Sequence, residues 1–319
     1  MNFMFLNNLA FFGVGLVGLW IGAELIVRGA MKISKRLGLS ETFIGLTMLA
    51  IGTDFPEIMV ALTGAIDQLN GKETADLIVG NILGSTMSQI ALVLGIAGTM
   101  KVLKLNKKEI LQNGLMVILA TCLFFILSLD GMISRGDGLI FVVVYIFYFL
   151  TLNKTSKIAQ LKNKFRKKKG NPIFPLAQLA IGLIVISEAS HLVLDNGINI
   201  ASDLGISQML VGIILIGVGT SLPELVVSIK AVMSGSNGLS VGNLIGSNII
   251  DILIALGGSA LIGGWRIDRS VAMFDIPFLL LTTVIVVLFL LTKQTLERKE
   301  SFLLLGMYGV YLMLKLTGW

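Results

Sequence analysis

The chain has 319 residues, 55% of them hydrophobic and only 14% charged, with a mean hydropathy of +0.90. A soluble domain of this size needs a far more polar surface, so the composition excludes one and requires an integral membrane protein of many helices. The net charge of +6 does not imply a nucleic-acid partner, because the basic residues fall in short loops between apolar runs, where membrane topology accounts for them.

Apolar runs predict ten spans, at roughly 9–33, 42–66, 76–99, 111–129, 137–153, 173–200, 208–233, 239–263, 272–292 and 301–317. No lysine or arginine precedes Arg28, so the first run lacks the basic segment of a signal peptide and reads as a span. Its acid Glu24, and Glu188 in the sixth run, receive no role from sequence; lone His191 reads as a polar residue near a helix end. Cys122, in the fourth run, has no partner for an internal disulfide and reads as a small core residue. The stretch Asn153–Pro172 is polar and basic; it reads as a solvated linker, 153–172, between a first half at 1–152 and a second at 173–319.

The second half repeats the first. TFIGLTMLAIGTDFPEIMVAL (42–62) recurs as MLVGIILIGVGTSLPELVVSI (209–229), and VGNILGSTMSQIALVLG (79–95) as VGNLIGSNIIDILIALG (241–257). Upstream, RGAMKISKRLGLS (28–40) recurs as DNGINIASDLGIS (195–207), with four basic residues in the first copy and none in the second. If the N-terminus lies outside, 20 of the 25 Lys and Arg fall in inside loops. Five spans per copy is an odd number, so the second copy must enter the membrane upside down. The expected fold is therefore all-α, ten transmembrane helices as two inverted five-helix repeats, with both termini outside.

The repeated blocks carry chemistry. In Gly52–Glu57 and Gly219–Glu224, a proline removes one helical donor and clashes with the carbonyl four residues back, which is the motif glycine. Carbonyls of the preceding turns, around Ala50 to Thr53 and Gly217 to Thr220, are expected to be freed inward, where they must line a polar cavity or meet a cation. Each ionisable side chain at bilayer depth costs at least ~2.5 kcal/mol, so Asp54, Glu57, Glu224 and Asp251 together would forfeit ~10 kcal/mol without partners. No lysine or arginine lies at matching depth to neutralise them, which leaves metal cations or protons. Asn81, Ser85 and Gln89 share one face of the third span, and Asn243, Ser247 and Asp251 repeat that spacing on the eighth. The two asparagines could equally bond a neighbouring helix, and the two serines could be packing residues. This oxygen-only set suits hard cations such as Ca²⁺ or Na⁺, whereas Zn²⁺ and Cu⁺ would need Cys and His.

On these motifs the chain resembles the cation/Ca²⁺ antiporter superfamily, most closely its prokaryotic Na⁺/Ca²⁺ exchanger-like branch, over essentially its whole length. The resemblance implies that Glu57 and Glu224 are central Ca²⁺ ligands, joined by backbone carbonyls at Ala50, Thr53, Gly217 and Thr220. It also implies ion-binding positions at Ser85, Gln89, Ser221, Ser247 and Asp251. Two departures stand out: Asp54 where the family usually has serine, and Gln89 where asparagine or aspartate is usual. Both bear on stoichiometry and on the driving ion. The expectation is a secondary antiporter in a prokaryotic plasma membrane, exchanging Ca²⁺ for Na⁺, with H⁺ or K⁺ as other counter-ions, and with spans 1 and 6 sliding across the core. It needs no cofactor, nucleic acid or obligate protein partner and is not an enzyme. A cation channel is disfavoured because pores more often use rotational symmetry. An aspartyl protease is disfavoured because Ser221 stands where a second aspartate would be needed.

Overall fold

The structure is a computed structural model that describes residues 3–71, 74–104, 106–162, 173–204 and 221–317. Helix α1 (Phe3–Leu37) ends at Gly38, whose φ of +66° stops it. Ser40 caps α2 (Glu41–Thr53) by accepting the Phe43 N–H at 3.1 Å, and α3 (Phe55–Leu69) follows at a bend of 50°. Next come α4 (75–100), strand β1 (Leu103–Lys104), α5 (Lys107–Leu127), β2 (Met132–Ile133) and α6 (Arg135–Lys162). The second half holds α7 (Ile173–Asp203), α8 (Leu222–Met233), α9 (Asn237–Gly263), β3 (Trp265–Arg266), α10 (Val271–Lys293), β4 (Thr295–Leu296) and α11 (Arg298–Leu316).

Seven of these helices are long and apolar enough to cross a membrane, and α2 with α3 forms an eighth, broken span. Helix α11 covers the expected tenth span; its charged first turn and Lys315 keep it out of that set. The expected seventh span appears from Ser221 onward as α8; its earlier part, with Gly217 and Thr220, lies outside the described residues. Two sequence readings need correction. Helix α6 continues through 153–162, into the expected linker, because no Gly or Pro interrupts that stretch before Gly170. His191 is exposed within α7, twelve residues before its end at Asp203 rather than near it, since α7 runs past the polar residues that suggested a terminus. Glu24 forms ion pairs with Arg28 on its own helix and Lys230 on α8, and Lys230 also lies 4.0 Å from the centre of the Trp20 ring.

The two short ladders fix how the halves meet. Strand β1 pairs antiparallel with β4, and β2 with β3. In the repeat, β1 corresponds to β3 and β2 to β4, so exchanging the halves maps one ladder onto the other. Each ladder joins a loop of the first half to a loop of the second, which requires those loops to share a membrane face. That holds only if the second half is inverted. The β1–β4 face gathers Lys101, Lys104, Lys107, Lys108, Lys293, Arg298 and Lys299.

Helices α4 and α9 form the centre: 78% of the apolar window of each is buried, against 33% for α1 and 28% for α7. Helix α9 crosses α2 at backbone contact. A Cβ on Gly242 would lie 2.6 Å from the Thr42 carbonyl oxygen, and one on Gly246 would lie 2.8 Å from Leu46 Cα. Helices α1 and α7 pack antiparallel in a separate apolar seam that includes Leu19, Ala23, Ile26, Ile186 and Ala189. Substituting Gly246 with Val is expected to push α9 off α2 and cost about 3 kcal/mol. Thermal unfolding in detergent would register a fall of several degrees; an unchanged midpoint would mean the crossing is not close-packed.

Candidate metal centre

The helices that carry the two motif glutamates begin in the same way. Asp54 (φ −79°, ψ 0°) and Ser221 (φ −88°, ψ 11°) adopt matching non-helical conformations, each followed two residues later by the proline of its motif, and a new helix starts at once. Glu57 and Glu224 therefore sit in the first turns of α3 and α8, where the helix macrodipole favours a carboxylate. The carbonyl of Ala50, expected to be freed, still accepts the Asp54 N–H at 2.9 Å. The opening starts after it, at Gly52, whose helical donor would have come from Pro56. Leu183 of α7 packs against Gly52 and roofs the break.

A second local distortion recurs in both halves. Residues Ser88–Val93 in α4 and Asp251–Leu256 in α9 are π-helical, and the repeat aligns Gln89 with Asp251 at their starts. A π-turn adds a residue to the helical turn and re-aims the side chains around it, a device frequent at functional sites.

These breaks bring the acids together. Asp54, Glu57 and Glu224 offer carboxylate oxygens that all lie within 4.8 Å of one another, and all three residues are buried. Asp251 joins them through neutral groups: Ser85 Oγ donates to Asp251 Oδ2 at 2.9 Å, and Gln89 Nε2 lies 3.4 Å from that oxygen and 3.5 Å from Asp54 Oδ1. The four acids are each 0–1% exposed, and among the described residues none is paired with Lys, Arg or His. At 4.8 Å and an effective dielectric of ~20, each pair of ionised carboxylates repels by about 3.5 kcal/mol. Three such pairs cannot persist without cations or protons between them.

The hydrogen bonds separate oxygens left open from groups that hold others in place. Within the acid cluster, eight buried oxygens have no hydrogen-bond partner among the described residues: both of Glu57, both of Glu224, Asp54 Oδ2, Asp251 Oδ1, Ser221 Oγ and Ser247 Oγ. That number matches the ~6–8 oxygens Ca²⁺ takes. Gln89 works differently from the oxygen donor expected of it. Its Oε1 accepts from Asn248 Nδ2 at 2.9 Å, so its amide nitrogen faces Ser85 (2.8 Å), Asp251 and Asp54. It holds the acids from behind and leaves Asp251 Oδ1 to a cation. Ser85 spends its hydroxyl in the same way, on Asp251.

Thr53 donates to the Leu49 carbonyl at 3.1 Å and reaches Asn243 Oδ1 at 3.5 Å, which places Asn243 against the α2 break. Asn81 is half-buried, and its amide nitrogen lies 3.4 Å from the Glu57 backbone oxygen, bracing α3 against α4. Sequence reasoning missed Asn248 as the residue that sets the Gln89 amide. It closes the Gly-Ser-Asn triplet, but falls one position after Ser247 and so off the four-residue face used to select candidates.

Residues 7–153 and 174–317 match the family described as sodium/calcium exchanger protein. The chain belongs to the sodium/calcium exchanger family. Among curated relatives, the inner membrane protein YrbG of Escherichia coli is 31% identical over 85% of each chain. The sodium/calcium exchanger MaX1 of Methanosarcina acetivorans is 28% identical over 94% of this chain and 96% of its own. Among solved structures, the sodium-calcium exchanger NCX_Mj soaked with Na⁺ and Sr²⁺ superposes with a TM-score of 0.81 at 29% identity, covering 97% of this chain and 99% of that one. The likeness supports the all-α membrane fold.

Replacing Glu57 or Glu224 with Gln keeps shape and removes one charge from the triad. Each change is expected to weaken Ca²⁺ binding by roughly 100-fold, about 3 kcal/mol, in equilibrium ⁴⁵Ca²⁺ binding to purified protein. Wild-type affinity in either variant would show that the residue is not a ligand.

Proposed function

We propose that this exchanger is a secondary active antiporter that moves Ca²⁺ against Na⁺ by alternating access, with Asp54, Glu57, Glu224 and Asp251 as the charge-bearing ligands. The carrying observation is the buried carboxylate triad, whose oxygens lie within 4.8 Å and, among the described residues, form no ion pair with Lys, Arg or His. Four ionised acids carry four negative charges; one Ca²⁺ compensates two of them and several Na⁺ can compensate them all. Either filling makes passage through the apolar surroundings cheaper than an empty, charged site. The two fillings use the same oxygens and exclude each other, which couples the opposed fluxes.

The orientation proposed places the β1–β4 face in the cytoplasm of a prokaryote and both termini outside. The concentration of basic residues on that face supports it, and the ladders support an inverted second half. Two halves, 1–152 and 173–319, each supply one helix begun at its motif proline and one π-distorted span to the site. The seam between α1 and α7 and the rest of the protein is the surface along which these two helices slide, with Leu183 moving off the break at Gly52.

Asp54 favours a second reading, in which H⁺ replaces Na⁺. It adds a fourth titratable oxygen pair where the second copy of the motif carries Ser221, and its Oδ2 has no hydrogen-bond partner among the described residues. Proteoliposomes loaded with Na⁺, K⁺ or H⁺ gradients one at a time separate these readings. The expected outcome is ⁴⁵Ca²⁺ uptake driven by outward Na⁺, absent with K⁺ alone and absent in Glu57→Gln. Uptake driven by a pH gradient with no Na⁺ would transfer the role to H⁺; uptake under none of the three would end the exchange mechanism.

A further inference from the structure

Two buried serines outside the ion cluster extend its polar faces toward the basic side of the membrane. On α8, Ser221, Glu224 and Ser228 fall at i, i+3 and i+7; on α9, Ser240, Asn243, Ser247 and Asp251 fall at i, i+3, i+7 and i+11. Each series lies along a single helical face. Ser228 and Ser240 are both 0% exposed, and neither hydroxyl has a hydrogen-bond partner among the described residues. A helical serine ordinarily satisfies itself on the carbonyl four residues back, as Ser190 does on Ile186 at 2.8 Å. Hydroxyls left open in a buried setting are costly unless something else meets them.

The helices that carry them form a hairpin whose turn reaches the β1 side. Asn237 Nδ2 lies 3.5 Å from the Val102 carbonyl oxygen, beside β1, so Ser228 and Ser240 lie between that face and the ion cluster. An acid stands at the outer end. Thr42, packed on Gly238 and Gly242, donates its hydroxyl to Glu109 Oε2 at 2.8 Å and thereby holds a carboxylate beside the first turn of α9.

The matching positions of the other half carry no hydroxyl. The repeat aligns Ser228 with Ala61 and Ser240 with Ile78, both 0% exposed. Where the second half places two hydroxyls, the first places a methyl group and a branched hydrocarbon. The halves match in Glu57 and Glu224, in their prolines and in the π-turns at Ser88–Val93 and Asp251–Leu256, and they differ here.

We propose that Ser228 and Ser240 form a staging position for a partly dehydrated cation, on a one-sided approach from the Glu109 end of α9 to Glu224 and Asp251. The proposal rests on the reading of the cluster as a cation-exchange site. A hydroxyl pair offers oxygen ligands without charge, so it can replace lost hydration water and still release the ion inward. The first half, lined by Ala61 and Ile78, offers no such step, and ions reach the cluster from the opposite face by a drier or wider route.

The test uses Ag⁺, a small thiol-reactive cation, in a Cys122→Ala background reconstituted in oriented vesicles. Ser228→Cys and Ser240→Cys are expected to be inhibited by Ag⁺ at least ten-fold faster from the β1–β4 face than from the other, with Ca²⁺ protecting. Ala61→Cys and Ile78→Cys are expected to show no such preference for that face. The double variant Ser228→Ala/Ser240→Ala is expected to raise the apparent KM for Ca²⁺ about five-fold or more on the β1–β4 face and leave it unchanged on the opposite one. Equal Ag⁺ rates from both faces, or equal KM changes on both, would overturn the proposal and mark the serines as packing residues. Failure of the exchange reading itself would look different: no Ca²⁺ flux in the parent protein from either face.

Discussion

Asp54, Glu57 and Glu224 bring buried carboxylate oxygens within 4.8 Å of one another, with no Lys, Arg or His paired to them among the described residues, and ionised together they repel strongly. On the function proposed above, that repulsion is transferable: the charges that cancel it arrive from solution and leave again. Every other unusual feature of the fold serves this requirement. The prolines at 56 and 223 each sit at the start of a helix whose first turn carries a buried glutamate. The π-turns at Ser88–Val93 and Asp251–Leu256 re-aim the flanking helices toward the same point. The glycines where α9 crosses α2 let two backbones approach closely enough to bring the halves into one cluster.

The polar shell around the acids divides its labour. Asn248 fixes Gln89, Gln89 and Ser85 fix Asp251, and Asn81 braces the backbone that carries Glu57. These groups satisfy one oxygen of a carboxylate and leave its mate open. A network that satisfied all of them would compete with the ions it exists to bind, and one that satisfied none would not hold the geometry.

Much of this was legible in the amino-acid sequence, for physical reasons that can be named. Bilayer thickness sets span length, so hydropathy alone located most helices, and the odd number of spans per copy gave the inversion. The acids were visible because their cost in lipid is so high that chance does not place them there. What escaped depended on side-chain direction. Gln89 could be placed on the right face, but not which end of its amide looked inward, since that is decided by Asn248 from another helix. The carbonyl of Ala50 was expected free because proline disrupts helices, yet the disruption begins only where the missing donor would have been. The reach of α6 into the basic stretch was hidden because polar composition speaks of solvent exposure and says little about backbone conformation.

The paired two-residue strands carry a historical consequence. Each finds its partner only across the boundary between halves, β1 with β4 and β2 with β3. One repeat alone would present two unmated edges and half a cage of acids. Its natural complement is an upside-down twin of itself, so the fused chain has the form of an ancestral dimer whose subunits inserted in opposite directions before a linker made the arrangement permanent.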